Sequence, residues 1–482
     1  MNRDRLVPLI VAVALFMENM DSTVIATSLP AIAVDIGTSP LALKLAVTSY
    51  LLSLAVFIPM SGWTADRFGA RRVFATAIAV FVMGSIGCAL SGSLTDFVLA
   101  RIAQGLGGAM MTPVGRLVLV RSVDKRALVD AMAWVSIPAL VGPITGPPLG
   151  GFITTYASWH WIFLINVPIG LIGIALALRY IEDVRIAMPD PFDLRGMVLA
   201  AISVAGLAFG LSVLGVGLVP WPIAAGLIAV GAIAFALYLM HARTAAAPVL
   251  DFSLLKLPTF SASVLGGFMF RMGIGALPFL LPLLLQVGLG FTPFQSGLTT
   301  FSATLGALTM KTVAARILKR FGFRPVLIAN AVLSAVFLAA CAWFSATTPF
   351  PLMVAVLLVG GFFRSLQFTS INVLAYAQVE PARMSRATAL AAVSQQLSLS
   401  AGVALGGATV ELMVWNKAEA TITAADFPPA FLLIAAISAA SALIFARLPA
   451  DAGAELAHRT PPGGTVEKIP EVTKRDTGTS SS

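Results

Sequence analysis

Between residues 62 and 72 the chain reads Gly62-Trp63-Thr64-Ala65-Asp66-Arg67-Phe68-Gly69-Ala70-Arg71-Arg72, a cluster of charge wedged between two long apolar runs. A weaker copy, Arg320-Phe321-Gly322-Phe323-Arg324, stands in the same setting in the second half. Glycines and dense charge make a tight polar turn. Such a turn has no place in hydrocarbon, where charges and open backbone groups find no partners. It therefore marks a membrane surface, and its echo predicts an internally repeated membrane protein.

The composition agrees. Of 482 residues, 58% are hydrophobic and 11% charged, against about 25% charged in soluble domains. A span needs roughly 20 apolar residues. Fourteen candidates are predicted, near 7–29, 44–62, 72–92, 96–120, 131–155, 159–179, 196–215, 221–240, 260–287, 296–315, 325–345, 349–377, 388–412 and 429–447. With the N-terminus inside, most of the 31 Lys and Arg fall on the cytoplasmic side. That bias is the positive-inside rule. It predicts a multi-pass protein of the cytoplasmic (inner) membrane with both termini cytoplasmic. The net charge of +9 then meets anionic lipid headgroups, not nucleic acid. The first apolar run shows no small-residue cleavage site and is expected to be a retained helix.

Cys88 and Cys341 are far apart inside apolar runs, so neither a disulfide framework nor a metal site is expected. The sequence offers no phosphate-binding glycine loop and no catalytic cluster. No ATP, cofactor or metal is expected, and no enzymatic activity.

The spans divide as six, two and six. Residues 1–180 form a first six-helix bundle. Residues 181–258 hold connectors and two extra spans, 259–449 a second bundle, and 450–482 a polar tail expected to be disordered and cytoplasmic. In repeated-half carriers the substrate site lies between the halves near mid-membrane.

Charges inside spans are costly and usually functional. Glu18 and Asp21 share one face of the first span. Burial raises a carboxylate's affinity for protons and a nearby cation lowers it, so either acid can titrate or sit in a static pair. Arg101 is at similar depth on the fourth span, with Gln104 one turn on. Arg116, Arg271 and Arg364 are further mid-span cations, and Gln367, Asn372 and Gln395 are neutral polar groups, all candidates for substrate binding. This excess of basic over acidic mid-span charge suits anionic cargo. At the inner surface, Asp66 is placed to latch onto the other half, while Arg67, Arg71 and Arg72 mark topology and can assist gating. The run Gly146-Pro147-Pro148-Leu149-Gly150-Gly151 is expected to bend its helix, as a hinge or as a plain kink.

These stretches resemble the motifs of one family. Gly62 to Arg72 is similar to the turn between helices 2 and 3 of the major facilitator superfamily. Arg101-Ile102-Ala103-Gln104-Gly105-Leu106-Gly107-Gly108-Ala109 resembles its helix-4 motif, and Gly146 to Gly151 the helix-5 motif associated with antiporters. Met20-Asp21-Ser22-Thr23-Val24 with Leu29-Pro30, and Trp159 to Pro168, resemble the fourteen-helix drug/proton antiporter branch. Ala26 departs from that branch, whose motif usually has Asn there, and Glu18 is an additional acid.

The resemblance implies an all-α major-facilitator fold of fourteen transmembrane helices, two six-helix bundles plus two between them. It implies a monomeric, proton-coupled exporter of small molecules, drugs or anionic metabolites. An importer of a small anionic metabolite is the rival. Proton coupling would fall to Asp21, Arg101 and Gln104, with Glu18, which lies outside the motif, as a second titrating site or a substrate contact. Gating would fall to Gly62, Asp66, Arg67, Gly69, Arg71, Arg72, Gly146, Pro147, Gly150, Gly151, Arg320, Gly322 and Arg324.

Overall fold

The computed structural model describes residues 3–122, 128–183, 192–213, 220–245, 248–380, 383–415, 417 and 421–455. Arg185, Asp190 and most of the expected tail lie outside them. Among the described residues the regular structure is entirely helical. In chain order the long helices are α1 (Leu6–Thr27), α2 (Lys44–Phe68), α3 (Ala70–Ala89), α4 (Leu94–Ser122), α5 (Leu128–Tyr156) and α6 (Trp161–Tyr180). There follow α7 (Leu194–Val213), α8 (Trp221–Thr244), α9 (Pro258–Gly288), α10 (Pro293–Phe321), α11 (Phe323–Trp343), α12 (Phe350–Leu374), α13 (Met384–Trp415) and α14 (Ala424–Phe445). Eleven are long and apolar enough to cross a membrane; α4, α5 and α10 fall outside that count.

The two charged turns are alike in backbone. One helix ends and the next begins on a single glycine, Gly69 at φ 94° and Gly322 at φ 80°. In this left-handed region a Cβ is strained, so glycine lets the chain reverse within one residue. Arg324, beside the second turn, donates to the Ala446 carbonyl at 2.9 Å and ties it to the end of α14.

The halves repeat in packing as well as sequence. In the first, α1 packs on α5, α2 on α4 and α3 on α6; in the second, α9 packs on α13, α10 on α12 and α11 on α14. Two further pairs, α5 with α10 and α2 with α13, join the halves, and the same swap relates them to each other. Glycines permit these approaches. A Cβ on Gly151 would fall 2.3 Å from the Pro293 carbonyl oxygen, and one on Gly297 would fall 2.3 Å from that of Pro147. Helix α7 lies along the α2–α13 seam and touches both, while α8 packs on α7 and leaves Trp221, Ile223, Ile233 and Met240 exposed.

The hydrophobic core shows where the halves meet. At the face opposite the charged turns, one continuous cluster takes residues from both, including Val24, Leu29, Leu43, Leu280, Val410 and Phe427. At the face carrying the turns, each half has its own cluster, one around Phe74 and Phe81, the other around Phe270 and Leu327. A further cluster joins Leu52 and Ala55 of α2 to Ala387, Leu390 and Val393 of α13 through α7, α8 and the connector before α9. The halves are thus fused across one face, while at the other they are joined along this side and part around a cavity.

Candidate functional site

The gap between the parted halves is a cavity of about 1310 Å³. Its first-half wall carries Glu18 and Asn19 of α1, Gly62, Trp63 and Asp66 of α2, and Thr112 and Arg116 of α4. Its second-half wall carries Phe368 and Asn372 of α12, Tyr376, and Ser385, Thr388, Gln395 and Gln396 of α13. The volume is somewhat larger than that of a usual small-molecule site, with polar groups on both walls. The Glu18 carboxylate accepts from the Thr112 hydroxyl at 2.5 Å, which fixes it to α4.

Asp21, one turn along α1, lies behind this wall and is fully buried. Its Oδ2 accepts from Arg101 Nη1 at 2.8 Å, and its Oδ1 from Gln104 Nε2 at 2.8 Å and Asn166 Nδ2 at 2.9 Å. Ser85 Oγ accepts from Gln104 at 2.8 Å and from Asn166 at 3.2 Å. Arg101 Nη1 also reaches Gln104 Oε1 at 2.5 Å, and the guanidinium carbon sits 4.2 Å from the Tyr50 ring centroid. Helices α1, α3, α4 and α6 thus meet on one buried ion pair. Such a pair is tolerable because each charge answers the other. Neutralising the acid alone leaves a buried guanidinium uncompensated, an expensive state.

The other polar candidates are placed differently. Asn372 and Gln395 line the cavity. Arg271 does not. It is buried behind the wall, donates to Asn372 Oδ1 at 2.8 Å and lies 5.5 Å from the Phe368 ring centroid. Gln367 is buried and donates to the Leu327 carbonyl at 3.0 Å, a tie between α12 and α11. Arg364 lies in a separate, minute pocket with Ser334, Cys341 and Gly360. Among the described residues the cavity wall therefore carries two acids, Glu18 and Asp66, and one cation, Arg116. The expected excess of positive charge is absent from these residues.

Arg71 and Arg72 approach Asp183 at 3.9 and 3.3 Å, joining the charged turn to the end of α6. Arg67 and Arg320 are exposed at the same face. In α5, helix is continuous through the glycine-proline run. Its glycines serve close contact on two sides. Cβ atoms at Gly146 and Gly150 would meet Thr23 Oγ1 at 2.1 Å and the Val24 carbonyl oxygen at 2.4 Å, both on α1, whereas Gly151 and Pro147 face α10 across the halves.

Three residues here carried no assigned role in the sequence. Asn166 lies within the Trp159–Pro168 stretch quoted above, while Ser85 and Tyr50 stand in runs that give no polar signal. Equally unheralded, Lys44 of α2 meets Glu411 of α13 at 2.5 Å, a pair joining the halves at the fused face, with Lys44 fully buried.

The profile of the major facilitator superfamily matches residues 11–267 and again 263–474, one match for each half. The chain belongs to the major facilitator superfamily. Along almost its whole length it is similar to MdtD of Salmonella typhimurium (strain LT2), named as a candidate multidrug resistance protein. Identity is 41% over 92% of this chain and 94% of that one. MdtD of Salmonella typhi matches to the same extent. Among solved structures, a D-xylose-proton symporter aligns with TM-score 0.64 at 17% identity, covering 93% of this chain and 98% of that chain. A human organic anion transporter aligns with TM-score 0.60 at 14% identity, covering 92% and 100%. At such identities these two show the fold alone. Family and relatives make this superfamily member a multi-pass membrane transporter, not an enzyme.

Proposed function

We propose that the protein is a proton-coupled exporter of small molecules working by alternating access in the cytoplasmic membrane. In this reading all fourteen long helices cross, both termini are cytoplasmic, and the cavity opens to the cytoplasm. The observation that carries it is the asymmetry of closure: a polar cavity open at the basic face, and halves locked at the other. That lock has three parts. Helices α5 and α10 touch through Gly151 and Gly297, with Phe294 N donating to Thr155 Oγ1 at 3.0 Å. Gln286 Nε2 donates to the Thr27 carbonyl at 2.9 Å. Lys44 pairs with Glu411.

Cargo enters from the cytoplasm against Glu18, Asn19 and Arg116 on one wall and Asn372, Gln395 and Gln396 on the other. The halves then rock, parting at the lock and closing over the cavity. A proton arriving from outside neutralises Asp21, with Glu18 as the cavity-facing acid. Neutral Asp21 no longer balances Arg101, so the conformational equilibrium moves. Exchange requires only that proton and cargo differ in affinity for the two states. The gating glycines Gly69 and Gly322 keep the turns short, while Gly62 and Asp66 of α2 line the cavity. The 41% identity to MdtD supports export of drug-like molecules. The two acids and one cation of the wall support cationic or zwitterionic cargo over purely anionic cargo.

A disulfide between cysteines introduced at Thr155 and Phe294 tests the rocking step. Oxidation should stop efflux and reduction should restore it. Undiminished efflux by the oxidised protein would show that the lock never opens.

A further inference from the structure

Asp21 is sealed from the cavity, yet the proposed exchange requires protons to reach it. Tyr50 of α2 stands at the gap. Its side chain is buried, its ring lies under the Arg101 guanidinium, and its hydroxyl has no hydrogen-bond partner among the described residues. Leaving a buried hydroxyl unpaired costs about 1–3 kcal/mol. A phenylalanine would keep the ring contact without that cost, so the hydroxyl calls for an explanation.

Its surroundings supply one. A Cβ on Gly108 would lie 3.2 Å from Tyr50 Oη and 3.7 Å from Glu18 Oε1, so the hydroxyl and the cavity carboxylate border the same small space. The absence of a side chain at Gly108 keeps that space clear. The charged groups around Tyr50 are Glu18 of α1 beside the Gly108 space, Arg101 of α4 over the ring, and Asp21 of α1 paired with Arg101. Among the other helices packed on α2, α7 carries Arg195 at its start, and the charged residues of α13, Arg386 and Glu411, lie towards its two ends. Glu18 faces the cavity and borders the same space as the hydroxyl, and Asp21 is the buried base bonded to the guanidinium that covers the Tyr50 ring.

We infer that Tyr50 is the relay that passes the proton between Glu18 and Asp21. The inference rests on the exchange reading above. Protonated Glu18 gives its proton to Tyr50 Oη as the phenol's own proton passes to the Asp21 carboxylate. Glu18 ends ionised, Asp21 neutral, and the phenol remains a phenol. The ring stays in place under Arg101, so only the hydroxyl is needed for transfer. Gly108 is the positioning residue for the path.

The test needs no cargo. The full-length protein in lipid nanodiscs is taken through a pH jump while infrared absorption follows the carboxylic C=O band that Asp21→Asn removes. Relay by a positioned group is worth roughly 10²–10⁴ in rate. Tyr50→Phe should therefore slow the Asp21 band about 100-fold while leaving its final amplitude unchanged. Tyr50→Phe should unfold at a temperature no lower than wild type, because the buried hydroxyl it removes is unpaired. Gly108→Ala, which fills the space and keeps the tyrosine, should slow the band as well and decides the matter if the Phe variant is unstable. Wild-type rates in Tyr50→Phe would overturn the relay and leave water as the carrier. No Asp21 band in the wild type at any pH would overturn the exchange reading and the relay together.

Discussion

Asp21 and Arg101 form a buried ion pair whose partners cannot be removed singly without penalty. Breaking such a pair typically costs about 3–5 kcal/mol. Arg101→Leu should therefore lower stability by about that amount, and Asp21→Asn added to it should recover much of the loss. Thermal unfolding of the two singles and the double checks this; a double no more stable than Arg101→Leu would show that the residues act independently. Asn166→Leu removes one donor to Asp21 and should cost about 1–3 kcal/mol, read by the same assay. The charged members of this site were legible in the sequence because charge in a span is conspicuous. Asp21, Arg101 and Gln104 do meet, at 2.8 Å or less. Ser85, Asn166 and Tyr50 were not legible, since uncharged polar residues serve equally well as packing between helices. The depth of a residue along a helix could be read; its direction around the helix could not. An apolar helix has no polar face to mark the angle. That is why Arg364 and Arg271, at cavity depth in α12 and α9, lie off the cavity wall.

At the level of elements, α5 is the helix most exposed to small changes in volume. Its glycines touch α1 within the half and α10 across it. Gly151→Val should wedge α5 from α10 and favour the state open at the opposite face. A cysteine at Gln286 would then react faster with a membrane-impermeant thiol reagent applied from that face; an unchanged rate would remove α5 from the gate. The sequence marked this run as special, and the structure carries the helix through it and shows the contacts its glycines allow. Sequence shows that a glycine-proline run is unusual, but not which neighbour it approaches. Helix positions were read better, because each depends on local hydrophobicity.

The connector before α9 carries a second elemental tie. Asp251 accepts from Arg383 at 2.7 Å, from the Ser253 backbone N–H at 3.0 Å and from the Ser253 hydroxyl at 2.6 Å. Partial burial pushes its carboxyl up, but the Ser253 and Arg383 hydrogen bonds outweigh it and hold the carboxyl below its ordinary range. The folded state therefore binds this proton less readily than the unfolded chain. The tie's stabilisation is present above about pH 4 and fades as pH falls through the folded value. Asp251→Asn should destabilise the protein near neutrality, and the difference from wild type should shrink on acidification. Unfolding curves across that range check it; a gap that widens in acid would reverse the assignment.

For the whole molecule, the pseudo-repeat makes one face a hinge for the other. The same two contacts, α5–α10 and α2–α13, serve each half in turn, and α7 braces the second of them. The echoed turn and the paired family matches made this duplication readable from sequence. Lys44 with Glu411 was not, because 367 residues separate them and neither stands out at a helix end. Lys44→Glu should part the lock by repulsion, and the reversed pair Lys44→Glu with Glu411→Lys should re-form it. Distance distributions between spin labels on the two halves measure this; a reversed pair as open as the single variant would make the contact incidental.

The central claim is that an imposed proton gradient drives cargo through Asp21. Its most direct test is transport in proteoliposomes carrying a pH gradient, with cationic dyes, zwitterions and carboxylates tried side by side in wild type and Asp21→Asn. Gradient-driven movement of a cationic or zwitterionic compound, lost in Asp21→Asn, is the expected result. Movement that ignores both the gradient and the substitution would contradict it.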